Sequence, residues 1–308
     1  MERSNAAEPY AAVVGAVNID LWGRSAAPLI PRDSNPGEIR ISLGGVGRNI
    51  AHNLRLLGVR ADMLTALGED VWAEKIEESC RALGIGLERA LRVPGGRSST
   101  YLFISGPDGD LALAVCDADI ARHIGPAVLE QHLDWLNAAA AVVFDGNLTP
   151  EALDWLTGHC TAPLFADPVS VTKARKLAPV LGRIHCLKPN ALEAEVLTGE
   201  ADPARAATAL AEKGVRHPFV SDGANGLFLA EDGSVLHIPC PPTRLVNATG
   251  GGDAVMAGLV KSFLSGRSAP EAARYALAAG ALAAQCAETI NPALDDGAVK
   301  AKMEETEA

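Results

Sequence analysis

No Gly-x-x-x-x-Gly-Lys-Ser/Thr loop occurs anywhere in the 308 residues, so phosphates are not held here in the manner of a P-loop. A Gly-x-Gly-x-x-Gly fingerprint is also missing, which counts against a dinucleotide-binding Rossmann unit. The seven histidines show no His-Glu-x-x-His spacing, and the six cysteines form no Cys-x-x-Cys pair, so no zinc framework is indicated. Widely spaced thiols of this kind are expected to be reduced and mostly buried, as in a cytoplasmic protein. Basic residues number 27 against 38 acidic ones, giving a net charge of −11. That balance disfavours nucleic acid and membrane surfaces as partners, because both are anionic. No apolar run reaches the roughly 18 residues a membrane helix needs, and no basic stretch followed by an apolar one opens the chain. Residues 1–8 are expected to be a disordered lead and Lys302–Ala308 a polar tail.

What is present is apolar and alternating. Hydrophobic residues make up 48% of the chain, enough for a sizeable core. Ala11–Ile19 reads as a first buried strand. Arg48–Leu57 carries Ile50, Leu54 and Leu57 on one helical face and stops at Gly58. Strand patterns at 61–66, 140–144, 164–166, 186–188 and 219–221 alternate with helical patterns at 70–83, 150–160, 172–182, 191–198 and 203–213. Such alternation predicts an α/β fold, a mainly parallel sheet with helices on both faces. Two segments break the rhythm. Residues 21–43 are rich in Pro, Gly, Ser and Asp, and 97–115 form two strand-like runs around Gly106-Pro107-Asp108-Gly109. Together they are expected to build a small β-sheet lid over a site in a single domain spanning 1–308.

Four motifs carry chemistry. In Asn247–Leu259 the run Gly250-Gly251-Gly252 precedes Asp253 at the start of a helical pattern. Consecutive glycines let amide N–H groups converge, and a helix N-terminus adds partial positive charge, so the run suits an anion. Asp253 is then placed to accept the proton of an attacking hydroxyl. Taken alone, the run reads equally well as a turn whose aspartate caps a helix. Gly44-Gly45-Val46-Gly47-Arg48-Asn49 opens the first long helix and brings small residues next to an amide that both donates and accepts. Alone it is also a plain strand–turn–helix connection. In Lys188–Glu193, Asn190 and Glu193 lie three apart on one helix face, a spacing that suits water-mediated Mg²⁺ and equally suits a capping box. Ser221–Gly226 is a tight turn after an apolar strand, compatible with nucleotide phosphates or with a bare hairpin.

The order of these four motifs over the whole length resembles the ribokinase-like (PfkB) family of carbohydrate and nucleoside kinases. The resemblance implies a three-layer α/β/α fold and ATP-dependent phosphorylation of a sugar hydroxyl. It implies Asp253 as base and the amides of Gly250, Gly251 and Gly252 as the anion hole. Asn190 and Glu193 would position Mg²⁺. Asp20, Gly45 and Asn49 would bind ribose, with Asn147 and Lys188 between substrate and phosphates. Ser221, Gly223, Gly226, Thr249 and Asn291 would lie along ATP. Asp33–Gly37, Ser98–Tyr101, Asp167–Ser170 and Asn291-Pro292 are similar to the family's pseudouridine-phosphorylating branch. That likeness implies Asp33, Asn35 and Thr100 as contacts to the nucleoside. Ribose, adenosine or silent nucleoside binding are the rival expectations. Many members hold a monovalent cation beside the glycine run, where an aspartate stands at the position of Asn247, so potassium dependence stays open. Lid pairing in the family implies a homodimer.

Overall fold

The computed structural model describes residues 9–307, and the lead at residues 1–8 lies outside them. In chain order the strands are β1 (Tyr10–Val14), β2 (Asn18–Ser25), β3 (Gly37–Gly44), β4 (Arg60–Leu64), β5 (Ala66–Leu67), β6 (Leu91–Arg92), β7 (Thr100–Ser105), β8 (Leu111–Asp117), β9 (Ala141–Asp145), β10 (Leu164–Asp167), β11 (Cys186–Leu187), β12 (His217–Ser221), β13 (Leu227–Glu231) and β14 (Ser234–Ile238). The α-helices are α1 (Val46–Leu56), α2 (Val71–Ala82), α3 (Pro126–Gln131), α4 (Leu133–Ala138), α5 (Pro150–His159), α6 (Val171–Ala174), α7 (Ala191–Thr198), α8 (Pro203–Glu212), α9 (Gly251–Leu264), α10 (Ala269–Ala284) and α11 (Asp296–Glu307).

An eight-stranded sheet runs in the order β14-β13-β12-β11-β10-β9-β1-β4. Strands β4 through β12 pair in parallel, and β12, β13 and β14 form an antiparallel meander at one edge. Alternation along β1 sends Ala11 and Val13 to one core and Ala12 and Val14 to the other. The first core packs α1, α2, α9, α10 and α11, and the second packs α3 to α8, giving three layers. Ile50 and Leu54 of α1 are fully buried, and each such side chain contributes about 1.5–3 kcal/mol.

A second, four-stranded sheet runs β3-β2-β7-β8 and is built from the two segments that broke the alternation. Its register places Asp20 beside Tyr101 and Ser42 on one face, and Ile19 beside Thr100 and Leu43 on the other. The Ile19 face continues outward through Ile39, Ile41, Leu102, Leu113 and Val115, which are exposed.

Several expectations are corrected. The first strand is two: β1 ends at Val14, and the chain crosses into the small sheet at Asn18, so Asp20 belongs to β2. The Asp145 carboxylate causes the break by accepting the Ala16 N–H at 2.8 Å, taking that amide out of any ladder. The helix expected at 172–182 is one α turn followed by 3₁₀ helix to Arg183, because Pro179 has no N–H to continue an α-helix. The expected polar tail is mostly helix, α11 running to Glu307. Of the six thiols, all free, Cys80 and Cys186 are buried and Cys116 is exposed.

Candidate active site

Parallel pairing delivers the chemistry-bearing side chains to one edge of the main sheet. Asp145 ends β9, Asp167 ends β10, Lys188 follows β11 and Ser221 ends β12. Open α/β sheets hold ligands outside the carboxyl ends of their strands. Two helices begin against this edge, each from a glycine with positive φ: Gly45 at 93° before α1 and Gly250 at 83° before α9. A methyl group at Gly45 would lie 2.6 Å from the Ala16 carbonyl, and one at Gly250 would collide with the Thr289 carbonyl. Only glycine meets both demands at these two positions.

The helices meet through their side chains. Asn49 Nδ2 of α1 donates to Asp253 Oδ2 of α9 at 2.9 Å, and both residues are buried. No side chain caps α9, so Asp253 is not a helix cap, and that alternative for the glycine run falls away. The Gly251 N–H turns back to the Ala248 carbonyl at 3.4 Å. The amides of Gly252 and Asp253 have no protein acceptor among the described residues, as expected of a first helical turn. The Gly250 N–H likewise has no protein acceptor there, so of the glycine run only the Gly251 amide is engaged and the other two stay open with that of Asp253.

Lys188 supplies a cation to the same place. Its Nζ lies 3.1 Å from Asp167 Oδ2, and a methyl group on Gly252 would come within 3.3 Å of it. Burial alone would lower the Lys188 pKa, but the carboxylates of Asp167, Glu193 and Asp253 outweigh it and the net shift is upward. The ammonium form is thus held in place. Asp253 moves the other way from an ordinary carboxylate. Burial, helped by the Asp167 charge, pushes it to about 7 against the pull of Asn49 and Lys188. A carboxyl that titrates near neutrality is suited to receive and release a proton. Asp20, half-buried on β2, is raised to about 6 by burial, with Arg48 opposing. Among the described residues nothing donates a hydrogen bond to its carboxylate, which leaves it open to a ligand hydroxyl.

Asn190 and Glu193 form the capping box of α7. Asn190 N–H donates to Glu193 Oε2 and Glu193 N–H to Asn190 Oδ1, each at 2.9 Å. Glu193 is buried, and burial raises its pKa. Oε1 keeps no bond among the described residues, so an oxygen remains for a hydrated cation. Among those residues no three His, Cys, Asp or Glu side chains gather to hold a metal directly. The free Glu193 oxygen is the kind of donor that would suit Mg²⁺ held through water.

Other expected residues are brought together unevenly. Ser221 lies beside Asn190 in a parallel bridge, and its N–H donates to the Pro189 carbonyl at 2.9 Å. Gly223 and Gly226, at φ 54° and 99°, shape the short turn joining β12 to β13, which is indeed a hairpin. Thr249 is exposed just ahead of Gly250, and Asn291 follows Thr289 in the loop after α10, where it donates to the Leu282 carbonyl at 2.8 Å. Asn147 is already engaged, donating to Asp145 Oδ1 at 2.8 Å and accepting from Lys173 Nζ at 2.5 Å. Thr100 stands on the opposite face of the small sheet from Asp20, and Tyr101 takes the place beside it. Asp33 is exposed in the connection between β2 and β3, and Asn35 bonds within that loop, to Ile30 and Asp33. Nothing among the described residues ties either one to Asp20 or Asp253.

Two residues escaped the sequence reading as site groups. Asp145 is fully buried and accepts from Ala16, Gly47 and Asn147, fastening the strand crossover, α1 and the β9 loop to one carboxylate. Asp167 accepts the Val169 N–H at 2.8 Å and pairs with Lys188. The signal was present: each is an acidic residue closing an apolar strand ahead of Gly or Pro.

Comparison with known proteins places this geometry. Residues 8–296 match the pfkB family of carbohydrate kinases. The chain is 36% identical over 305 residues to a pseudouridine kinase of Escherichia coli K12, covering 97% of each. It is 38% identical over 294 residues to an uncharacterized sugar kinase of that strain, YeiI, covering 93% of this chain and 81% of that one. Arabidopsis thaliana ribokinase, solved in complex with ribose and ATP, shares the fold with a TM-score of 0.86 at 21% identity, covering 97% of this chain and 99% of that one.

Proposed function

The chain belongs to the pfkB family of carbohydrate kinases, with a ribokinase-like fold, and on that premise we propose that it transfers the γ-phosphoryl group of ATP to the 5′-hydroxyl of pseudouridine. The observation that carries the reading is Asp253, a buried carboxyl titrating near 7 beside open helix-terminal amides and a buried lysine. In this reading Asn49 holds Asp253 Oδ2 and orients Oδ1 toward the hydroxyl, whose proton Asp253 takes. Lys188 and the amides of Gly252 and Asp253 stabilise the charge on the phosphoryl group in flight. Mg²⁺, when bound, neutralises the ATP phosphates; Glu193 and Asn190 would hold it through water. Asp20 orients the sugar, and the small sheet closes as a lid that excludes water.

The likeness to the E. coli pseudouridine kinase along nearly the full length supports this acceptor. The comparable likeness to a sugar kinase keeps free sugars as the rival. The apolar Ile19 face of the small sheet, with Ile39 78% exposed, would be covered by a second copy, giving a homodimer. Among the described residues no helix is long and apolar enough to cross a membrane, and we place the protein in the cytoplasm, where ATP is supplied.

The test is ADP release with MgATP against pseudouridine, uridine, adenosine and ribose, with the phosphate located on the product by NMR. The expected result is the highest kcat/KM for pseudouridine, phosphorylated at the 5′ position. An equal or higher value for ribose would replace the acceptor and leave the transfer standing. No transfer to any of them would end the reading.

A further inference from the structure

The loop after α10 and the glycine run behave as one unit. Gly250, which opens α9, packs directly on the Thr289 carbonyl, so a shift of that loop would move the first amides of the anion hole. The two segments are joined just upstream. The N–H groups of Val246 and Asn247 both donate to the Ala284 carbonyl, at 2.9 and 3.2 Å. The Asn247 carboxamide completes the joint: Oδ1 accepts the Thr249 N–H at 2.9 Å, and Nδ2 donates to the Ala287 carbonyl at 3.1 Å.

The family resemblance implies a monovalent cation at this place, and the donor set does not fit one. A hard cation needs converging oxygens with free lone pairs and benefits from an anionic one. Here the side chain at 247 is neutral, and its carbonyl oxygen already accepts the Thr249 N–H. Its NH₂ group donates to the Ala287 carbonyl, so the side chain turns positive hydrogens, not a lone pair, toward the facing loop. An amide can do mechanically what a cation would do electrostatically: span the gap and hold both loops in register.

We propose that the Asn247 carboxamide stands in place of a monovalent cation, fixing the loop after α10 against the glycine run, so that phosphoryl transfer by this protein needs no potassium. The inference deepens the kinase reading, and its melting arm requires no acceptor, so a wrong acceptor would leave it testable.

The experiment uses the full-length protein at constant ionic strength, with KCl exchanged stepwise for tetramethylammonium chloride. Initial rates with MgATP and the best acceptor, and the Tm without acceptor, are recorded for wild type, Asn247→Asp and Asn247→Ala. The wild-type rate and Tm are expected to be unchanged across the exchange. Asn247→Asp, which restores a carboxylate and removes the NH₂ group, should gain rate with potassium on the order of tenfold and show a potassium-dependent rise in Tm. Asn247→Ala should be slowed and recover nothing with potassium. Several-fold activation of the wild type by potassium overturns the proposal without reference to any variant. Failure of a folded Asn247→Asp protein to respond in either rate or Tm overturns the claim that the amide occupies a cation's place.

Discussion

Replacing Asp253 with Asn should separate chemistry from stability in opposite directions. The change is nearly isosteric, and the new amide can turn its oxygen toward Asn49 Nδ2, which now donates to Asp253 Oδ2 at 2.9 Å. The fold contact survives while the base is lost. Removing a general base typically costs about 10²–10⁴-fold, so kcat should fall by that amount with nucleoside binding retained. Stability should change with pH in a defined window. Burial raises the Asp253 pKa from 3.8 to about 7, so the folded state holds this proton where the unfolded chain has released it. The favourable contribution is complete below 3.8 and is lost as pH rises through 7; at higher pH the buried charge costs about 4 kcal/mol relative to the neutral form. A neutral amide escapes that cost. The variant should match wild type near pH 4 and melt several degrees higher at pH 8. The wild-type kcat/KM should rise through about pH 7, a limb the variant lacks. Steady-state rates from pH 5 to 9 and calorimetry from pH 4 to 9 read both effects. Near-wild-type turnover, or a lower melting point than wild type at pH 8, would refute the reasoning.

Three further outcomes follow from the same geometry. Lys188→Met leaves the buried carboxylates of Asp167 and Asp253 without their cation; unfolding by urea should show a loss of about 3–5 kcal/mol, and kcat should fall on the order of 10²-fold. Gly250→Ala must adopt φ 83° against the Thr289 carbonyl, so a stability loss of at least about 1–2 kcal/mol should accompany weaker ATP binding, measured by calorimetric titration. Asn35→Ala removes the hydrogen bonds to Ile30 and Asp33 that shape the β2–β3 loop; KM for the nucleoside should rise more than KM for ATP, and equal rises would deny the loop a part in substrate recognition.

The sheet order and the site were legible in the sequence to different depths. Apolar runs such as Ala141–Asp145 announce buried parallel strands because both faces are covered, and the glycine run announces a tight helix start. The meander Leu227–Ile238 is not legible in the sequence, because β14 is exposed except at Ile238 and its mix of Ser, His and Leu has no clean period. The break after Val14 was invisible for a different reason: it depends on the Asp145 carboxylate, which local pattern cannot bring beside Ala16. The same holds for Asn49 and Asp253. Each stood out as a site residue, but their hydrogen bond is a product of how α1 and α9 pack against the same sheet.

Strand β1 lies inside the main sheet, with Ala11 paired to Ala61 on one side and to Ala141 on the other. The ribosome makes these partners far apart in time. At about 5–20 residues per second, β1 gains its neighbour β4 within seconds but waits on the order of ten seconds for β9. Until then a strand of Ala and Val, destined to be sealed on every side, presents an open edge in the nascent chain. The centre of this kinase therefore stays open while nearly half of the chain is made, and that exposure to ribosome-bound chaperones is built into the strand order.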